Sequence, residues 1–172
     1  MRRARLLAIA VVVVASVVAA ARASQPTHPP SPPAPPRYSG LWRLDTTKSE
    51  MGKRRPRSRE DQLSEQGVWL RVRSVAVRAS GDTVQLDYRY RTDGGEAVNR
   101  VLGQDVRTKG RREGAGLRFD SEAQLALFKF TVNERWTLST DGRTLTQERT
   151  SRGPLGDEKQ RLVFQRGSWR SP

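Results

Sequence analysis

The chain of 172 residues contains no cysteine. That excludes disulfides, thiolate metal sites, a cysteine nucleophile and the lipid-bearing cysteine of a bacterial lipoprotein. Histidine occurs once, as His28, inside a proline-rich stretch where nothing can orient an imidazole. A histidine-based triad, a multi-histidine zinc site and an imidazole general base are thereby excluded for a monomer, which is the state expected. Helical periodicity is hard to find after Tyr38, so no glycine loop can cradle a phosphate at a helix start; Gly94-Gly95 and Gly114-Ala115-Gly116 read as turns. The neighbouring carboxylates Glu60-Asp61 and Asp157-Glu158 fall in loop or strand-end contexts, where solvated charge is the default reading. The expectation is a protein that is not an enzyme and has no catalytic residue, metal site or cofactor.

What is present begins with an export signal. Met1-Arg2-Arg3-Ala4-Arg5 precedes an apolar run over residues 6–21, followed by Ala21-Arg22-Ala23-Ser24. This is a positive n-region, an h-region and a small-residue cleavage site in order, so residues 1–23 read as a secretory signal peptide. Cleavage after Ala23 would place the mature chain outside the cytoplasm, periplasmic or secreted, with no membrane span left. An uncleaved anchor is the competing reading, although the run falls short of the roughly 20 apolar residues that span a bilayer comfortably. Arg5 stands where a twin-arginine signal wants an apolar residue, which favours general secretion. Residues 24–37 form a proline-rich linker, too poor in apolar side chains to pack. Residues 38–169 remain, the usual size of one domain with one core.

The formal net charge is +14, and removal of Arg2, Arg3, Arg5 and Arg22 with the signal leaves +10. A basic exported protein is drawn to anionic envelope polymers such as lipopolysaccharide phosphates or wall polymers; nothing points to a specific nucleic acid. Most of the excess is scattered arginine. The one cluster is Lys53, Arg54, Arg55, Arg57 and Arg59, a candidate patch for an anionic partner or else a solvated loop.

Period-two alternation between turn signals recurs to the end of the chain, which makes the domain all-β. Over Thr83–Arg91, Val84, Leu86, Tyr88 and Tyr90 share one face and Gln85, Asp87, Arg89 and Arg91 the other. Within 68–79, Leu70 and Val72 are out of phase with Val75 and Val77, so a bulge is expected near Arg73-Ser74. Ser80-Gly81-Asp82, Asp93-Gly94-Gly95 and Gly114-Ala115-Gly116 are turn signals. A phase change at Phe128-Lys129-Phe130 reads as a bend in a long ribbon. Strands over 132–139, 144–150 and 158–166 close the chain and one over 39–45 opens it. The count is about eight or nine strands, and an antiparallel up-and-down β-barrel removes the edges that such a chain would expose.

The hairpin around Asp141-Gly142 has a register that can be argued from side chains. Pairing Leu138 with Leu145 puts both on one face, whereas a slip of one residue sets a leucine against a threonine. The same register sets Trp136 opposite Gln147 and Glu134 opposite Arg149, all looking inward. Tyr88, Tyr90, Phe119, Glu134, Trp136 and Arg149 are therefore the candidate ligand-binding residues of the interior. A barrel of this size is either filled by its own side chains or holds one small apolar ligand, and both readings stand.

The opening Ser39-Gly40-x-Trp42-x-Leu44-Asp45 carries the Gly-x-Trp signature on a first strand after a secretion signal, and resembles the start of a lipocalin or related calycin barrel. With Glu134-x-Trp136-x-Leu138-Ser139-x-Asp141-Gly142-x-Thr144-Leu145-Thr146, the chain is similar to small bacterial exported proteins described as lipocalin-like. The resemblance implies that Trp42 plugs one end of the barrel and that Arg161 or Arg166 packs across it. The disulfides common in animal lipocalins and an obvious C-terminal helix are both missing, which suits a shorter relative. The function it implies is an exported, non-enzymatic protein binding a small apolar ligand. The alternative is a basic cell-envelope module that holds an anionic polymer or protein.

Overall fold

In a computed structural model the described residues are 37–52, 55–101, 103–125, 127–154 and 156–168. The signal, nearly all of the linker, and Lys53 and Arg54 of the basic cluster lie outside them.

Ten strands follow one another: β1 (Gly40–Leu44), β2 (Ser58–Gln66), β3 (Trp69–Val77), β4 (Thr83–Arg91), β5 (Asp93–Val101), β6 (Gln104–Glu113), β7 (Gly116–Leu125), β8 (Phe128–Leu138), β9 (Thr144–Gly153) and β10 (Gly156–Gly167). They form one antiparallel sheet in the order β4-β3-β2-β1-β10-β9-β8-β7-β6-β5. Consecutive strands pair with one another except β4 and β5, and β1 pairs with β10 to curl the sheet round on itself. The result is an up-and-down, nearly closed barrel.

The count exceeds the eight or nine expected because β2 and β5 lack the alternation that marks a strand. Along β2 only Leu63 is a large apolar residue, and its fellow inward positions are Arg59 and Asp61. Two glycines open β5, where the register with β6 shifts between Asp93 and Glu96. The bulge expected at Arg73-Ser74 is absent: β3 pairs in unbroken register with β2 and β4. Ser74 takes the inward position at 3% exposure, and Val75 is left outside at 44%. The bend expected at 128–130 is a hairpin turn between β7 and β8, made without glycine. In the β8–β9 hairpin, Leu138 pairs with Leu145, Trp136 with Gln147 and Glu134 with Arg149, the register argued from the side chains. Gly142 serves that turn with a φ of 67°, a conformation that favours glycine.

One seam in the wall has no ladder. β4 and β5 are sequence neighbours but not hydrogen-bonded partners. Asn99 of β5 spans the gap with its side chain, accepting from Arg89 N at 2.7 Å and donating to Arg89 O at 2.8 Å. Nearby, Thr92 O accepts from Arg112 N, and a Cβ on Gly110 would stand 2.1 Å from Arg91 O, so only glycine lets the chains approach there.

Inward side chains from both halves of the sheet build one core. Tyr38, Trp42, Leu70, Leu117, Phe119, Leu145 and Phe164 are fully buried. Met51, in the loop between β1 and β2, joins the same cluster.

Candidate functional site

At the end of the barrel where the described chain begins, Trp42 is fully buried and donates its indole N–H to Tyr38 O at 2.8 Å. The Arg166 guanidinium lies 4.3 Å from the Trp42 ring centroid, a cation–π stack. Its other atoms tie the segment down, donating to Gly142 O, Ser39 O and Arg37 O at 2.7, 2.7 and 3.0 Å. Arg161, the other candidate, does not take part: its side chain is exposed, and its backbone bridges Glu50. The Tyr38 hydroxyl completes this end by donating to Ala115 O at 3.1 Å.

Above the plug the interior turns polar. Arg59 donates from Nε to Asp61 Oδ1 at 2.9 Å and from Nη2 to Asp61 Oδ2 at 2.7 Å. The same Nε reaches Ser74 Oγ at 3.1 Å, and the guanidinium lies 5.3 Å from the Phe164 ring. Asp61 is fully buried, so the expectation of a solvated Glu60-Asp61 pair fails for Asp61. Arg59 likewise leaves the candidate basic patch, because strand alternation turns it inward where its side chain is 16% exposed. Arg55 remains in the surface loop, donating to Thr46 O at 2.7 Å, and Arg57 is exposed.

A second ion pair faces the first across the barrel. Arg149 donates from Nε to Glu134 Oε1 at 2.7 Å, and its Nη2 stands 2.6 Å from the same oxygen. Trp136 donates its indole N–H to Glu134 Oε2 at 2.9 Å. Between the pairs lie aromatic rings: Tyr88 and Tyr90 at 5.2 Å, Tyr90 stacked on Phe119 at 4.3 Å, and Phe119 edge-on to Trp136 at 5.1 Å. All six candidate interior residues thus meet in one cluster. Gln147 and Thr108 add buried polar groups to the same lining; Thr108 Oγ1 meets Ser121 Oγ at 2.8 Å, while Gln147 Nε2 has no partner among the described residues.

Electrostatics follow from this packing. Burial pushes the Tyr88 hydroxyl up to about 12 and the Tyr90 hydroxyl well above its ordinary value, with the Glu134 charge adding to both. Burial works against the Arg59 charge, but Asp61, Tyr88 and Glu134 together outweigh it and the guanidinium is held above its usual value. The Glu134 charge does the same for Arg149. The Arg149 side chain keeps 37% of its surface accessible, and Tyr88 is only half-buried. These two groups belong to the interior cluster and are still reached by water.

A concavity of about 820 Å³ lies elsewhere, on the outer side of β1 to β4, against Leu41, Gln62, Arg73, Val75 and Asp87. Those are chiefly outward positions, open to solvent, and the ionised and aromatic groups of the interior cluster do not line it. Among the described residues no group of three or more His, Cys, Asp or Glu could hold a metal ion. No helix there is long and apolar enough to cross a membrane.

The arrangement defines a lipocalin-like β-barrel with a polar, aromatic interior. Sequence comparison matches no family model and no curated protein. Among solved structures the chain is similar to secretory abundant heat soluble protein 4 from Ramazzottius varieornatus, with 14% identity, a TM-score of 0.55 and coverage of 78% of this chain and 97% of that one. A second secretory abundant heat soluble protein from the same organism matches with 9% identity over 76% of this chain and 95% of its own, at a TM-score of 0.52. A mutant of the fluorescent protein UnaG matches with 10% identity over 77% of this chain and 97% of its own, at 0.50. At such identities the likeness is one of fold.

Sequence reasoning missed Asp61 and Ser74, which stand in or against the strand it did not recognise. It missed Tyr38 as a plug residue too. Gln147 was already implied, since the register that turns Trp136 inward turns its cross-strand partner inward as well.

Proposed function

We propose that this chain is an exported, non-enzymatic binding barrel that holds one small ligand with an apolar body in the space above the Trp42 plug. The observation that carries the reading is the accessible surface kept by Arg149 and Tyr88 among the inward-facing side chains. The rings of Tyr90, Phe119 and Trp136 offer apolar contact, and the two ion pairs offer polar anchors, the mixture that small-molecule sites use. Export rests on the n-region, h-region and cleavage site at the start of the sequence. The rival reading, a basic envelope module, loses support because Arg59 turns inward and Arg55 is tied to its own loop.

Titration with N-phenyl-1-naphthylamine, a neutral apolar fluorophore, tests the binding. Saturable enhancement at one site per chain is expected, insensitive to salt. Absence of saturable binding, or binding that fades steeply with salt, overturns the proposal. N-terminal sequencing of the exported protein should begin at Ser24; retention of Met1 would contradict export by cleavage.

A further inference from the structure

The charges inside the barrel are balanced before any ligand enters. Arg59 is chelated by Asp61, and Arg149 is held by Glu134, whose second oxygen is taken by Trp136. Toward the opposite end from the plug, Glu158, on the same side of β10 as Gln160 and Leu162, accepts from Gln160 Nε2 at 3.1 Å and pairs with no cation among the described residues. The groups left open include donors: a tyrosine hydroxyl can donate as well as accept, and a side-chain amide nitrogen only donates. The hydroxyls of Tyr88 and Tyr90 have no hydrogen-bond partner among the described residues, and Gln147, at 3% exposure, keeps an amide donor with no acceptor.

From this arrangement we infer that the interior site selects an uncharged head group bearing an acceptor oxygen, such as an amide or ester carbonyl, over a carboxylate. The inference rests on the binding function proposed above and names its ligand class. An anion brought inside must lose its water and find a cation, and both interior cations are already neutralised by carboxylates that would repel it. It would gain attraction from Arg59 and Arg149 and meet repulsion from the carboxylates bound to them, Asp61 and Glu134. A neutral acceptor meets no such penalty. It receives hydrogen bonds from the open donors while both ion pairs stay intact, and it relieves a donor that is otherwise buried without a partner. Selection therefore comes from an arrangement that repels the wrong charge as much as from one that attracts the right group.

The test is competition for bound N-phenyl-1-naphthylamine between decanamide and decanoate, the same chain length with and without charge, at about pH 8 where the acid is ionised. Decanamide should displace the probe at a concentration about tenfold lower or better, the discrimination a site of unmatched donors and balanced charge supports. Decanoate competing as well as decanamide, or better, overturns the inference while leaving the binding function standing. A probe that binds but yields to neither compound does the same. A probe that does not bind at all removes both. Two variants read the cause: Glu134→Gln and Asp61→Asn each free one arginine from its counter-charge. Each should move the preference toward decanoate by about tenfold. An unchanged ratio in a variant that retains the native circular dichroism would contradict charge balance as the selector. If neither variant folds, the comparison on the unaltered protein still decides.

Discussion

Glu134 takes the indole N–H of Trp136 on Oε2 at 2.9 Å, a bond between two residues of one strand. It holds the carboxylate in place for Arg149 on the next strand, which approaches the other oxygen. Glu134 is 7% exposed, so Arg149→Ala would leave its charge desolvated and unpaired. A loss of roughly 2 to 4 kcal/mol is expected, below the figure for a fully enclosed pair because Arg149 itself reaches water. Urea denaturation measures it. The double replacement of Glu134 and Arg149 by Ala should cost less than the sum of the single ones, and strict additivity would mean that the two are not coupled.

Arg57, which precedes β2, and Arg59, within it, stand two residues apart and should behave in opposite ways. Arg59→Ala strands Asp61, which is fully buried, and a cost of roughly 3 to 5 kcal/mol is expected. Arg57 is exposed, and its replacement should cost less than about 0.5 kcal/mol. Equal effects in thermal or urea melts would place both side chains in the same environment and contradict the inward turn of Arg59.

All three tyrosines of the chain are buried enough to resist ionisation. Burial raises Tyr38 and Tyr88 to about 12 and Tyr90 well above its ordinary value. A tyrosine raised on folding supports the fold fully below its unfolded pKa of about 10, and that support is lost as pH rises toward the folded value. Phenolate absorbance should therefore stay flat through pH values near 10 in the folded protein and rise only above them, while the denatured chain titrates at about 10. A tyrosine that titrates at its ordinary value without unfolding would contradict the burial.

The seam between β4 and β5 gives a local prediction. Asn99→Ala removes both side-chain bonds to Arg89. Hydrogen exchange at the Arg89 amide should quicken, with a global cost of about 1 to 2 kcal/mol at most, since these groups lie near solvent. Unchanged protection of that amide would show that the Asn99 bridge does not hold the seam.

The strands that could be read from the sequence are those whose interior neighbours are apolar. β4 alternates cleanly because Leu86, Tyr88 and Tyr90 look inward, and the β8–β9 register follows from two leucines and a tryptophan. β2 escaped notice for the opposite reason: the interior beside it is polar, so Arg59 and Asp61 occupy positions where a hydrophobic residue would have announced a strand. Ser74 misled in the same way, being an inward residue that reads as a break in phase until Arg59 is set against it. Half of the candidate site, the Glu134–Arg149 side, was thus legible from pairing alone. The other half was hidden because the pattern that identifies strands assumes an apolar core, and local rules fail where a site replaces it.

The pairing of β1 with β10 joins segments far apart in the chain; Arg166 bonds to Ser39 O across a separation of 127 residues. Every other ladder in the sheet is a hairpin between consecutive strands. Among the described residues the wall lacks a ladder only at the β4–β5 seam, and that seam falls between consecutive strands. A circular permutant that connects residue 168 to residue 37 and begins at Asp93 would therefore run β5 to β10 and then β1 to β4, with sequence order and spatial order the same. The permuted chain would be an unbroken meander in which no hydrogen-bonded ladder requires the closure of a long loop, and the contacts across the seam, the Asn99–Arg89 bridge among them, would be the ones that join its two ends. With every ladder local, the sheet should form before the chain ends meet, and the seam should be the last part of the same barrel to close.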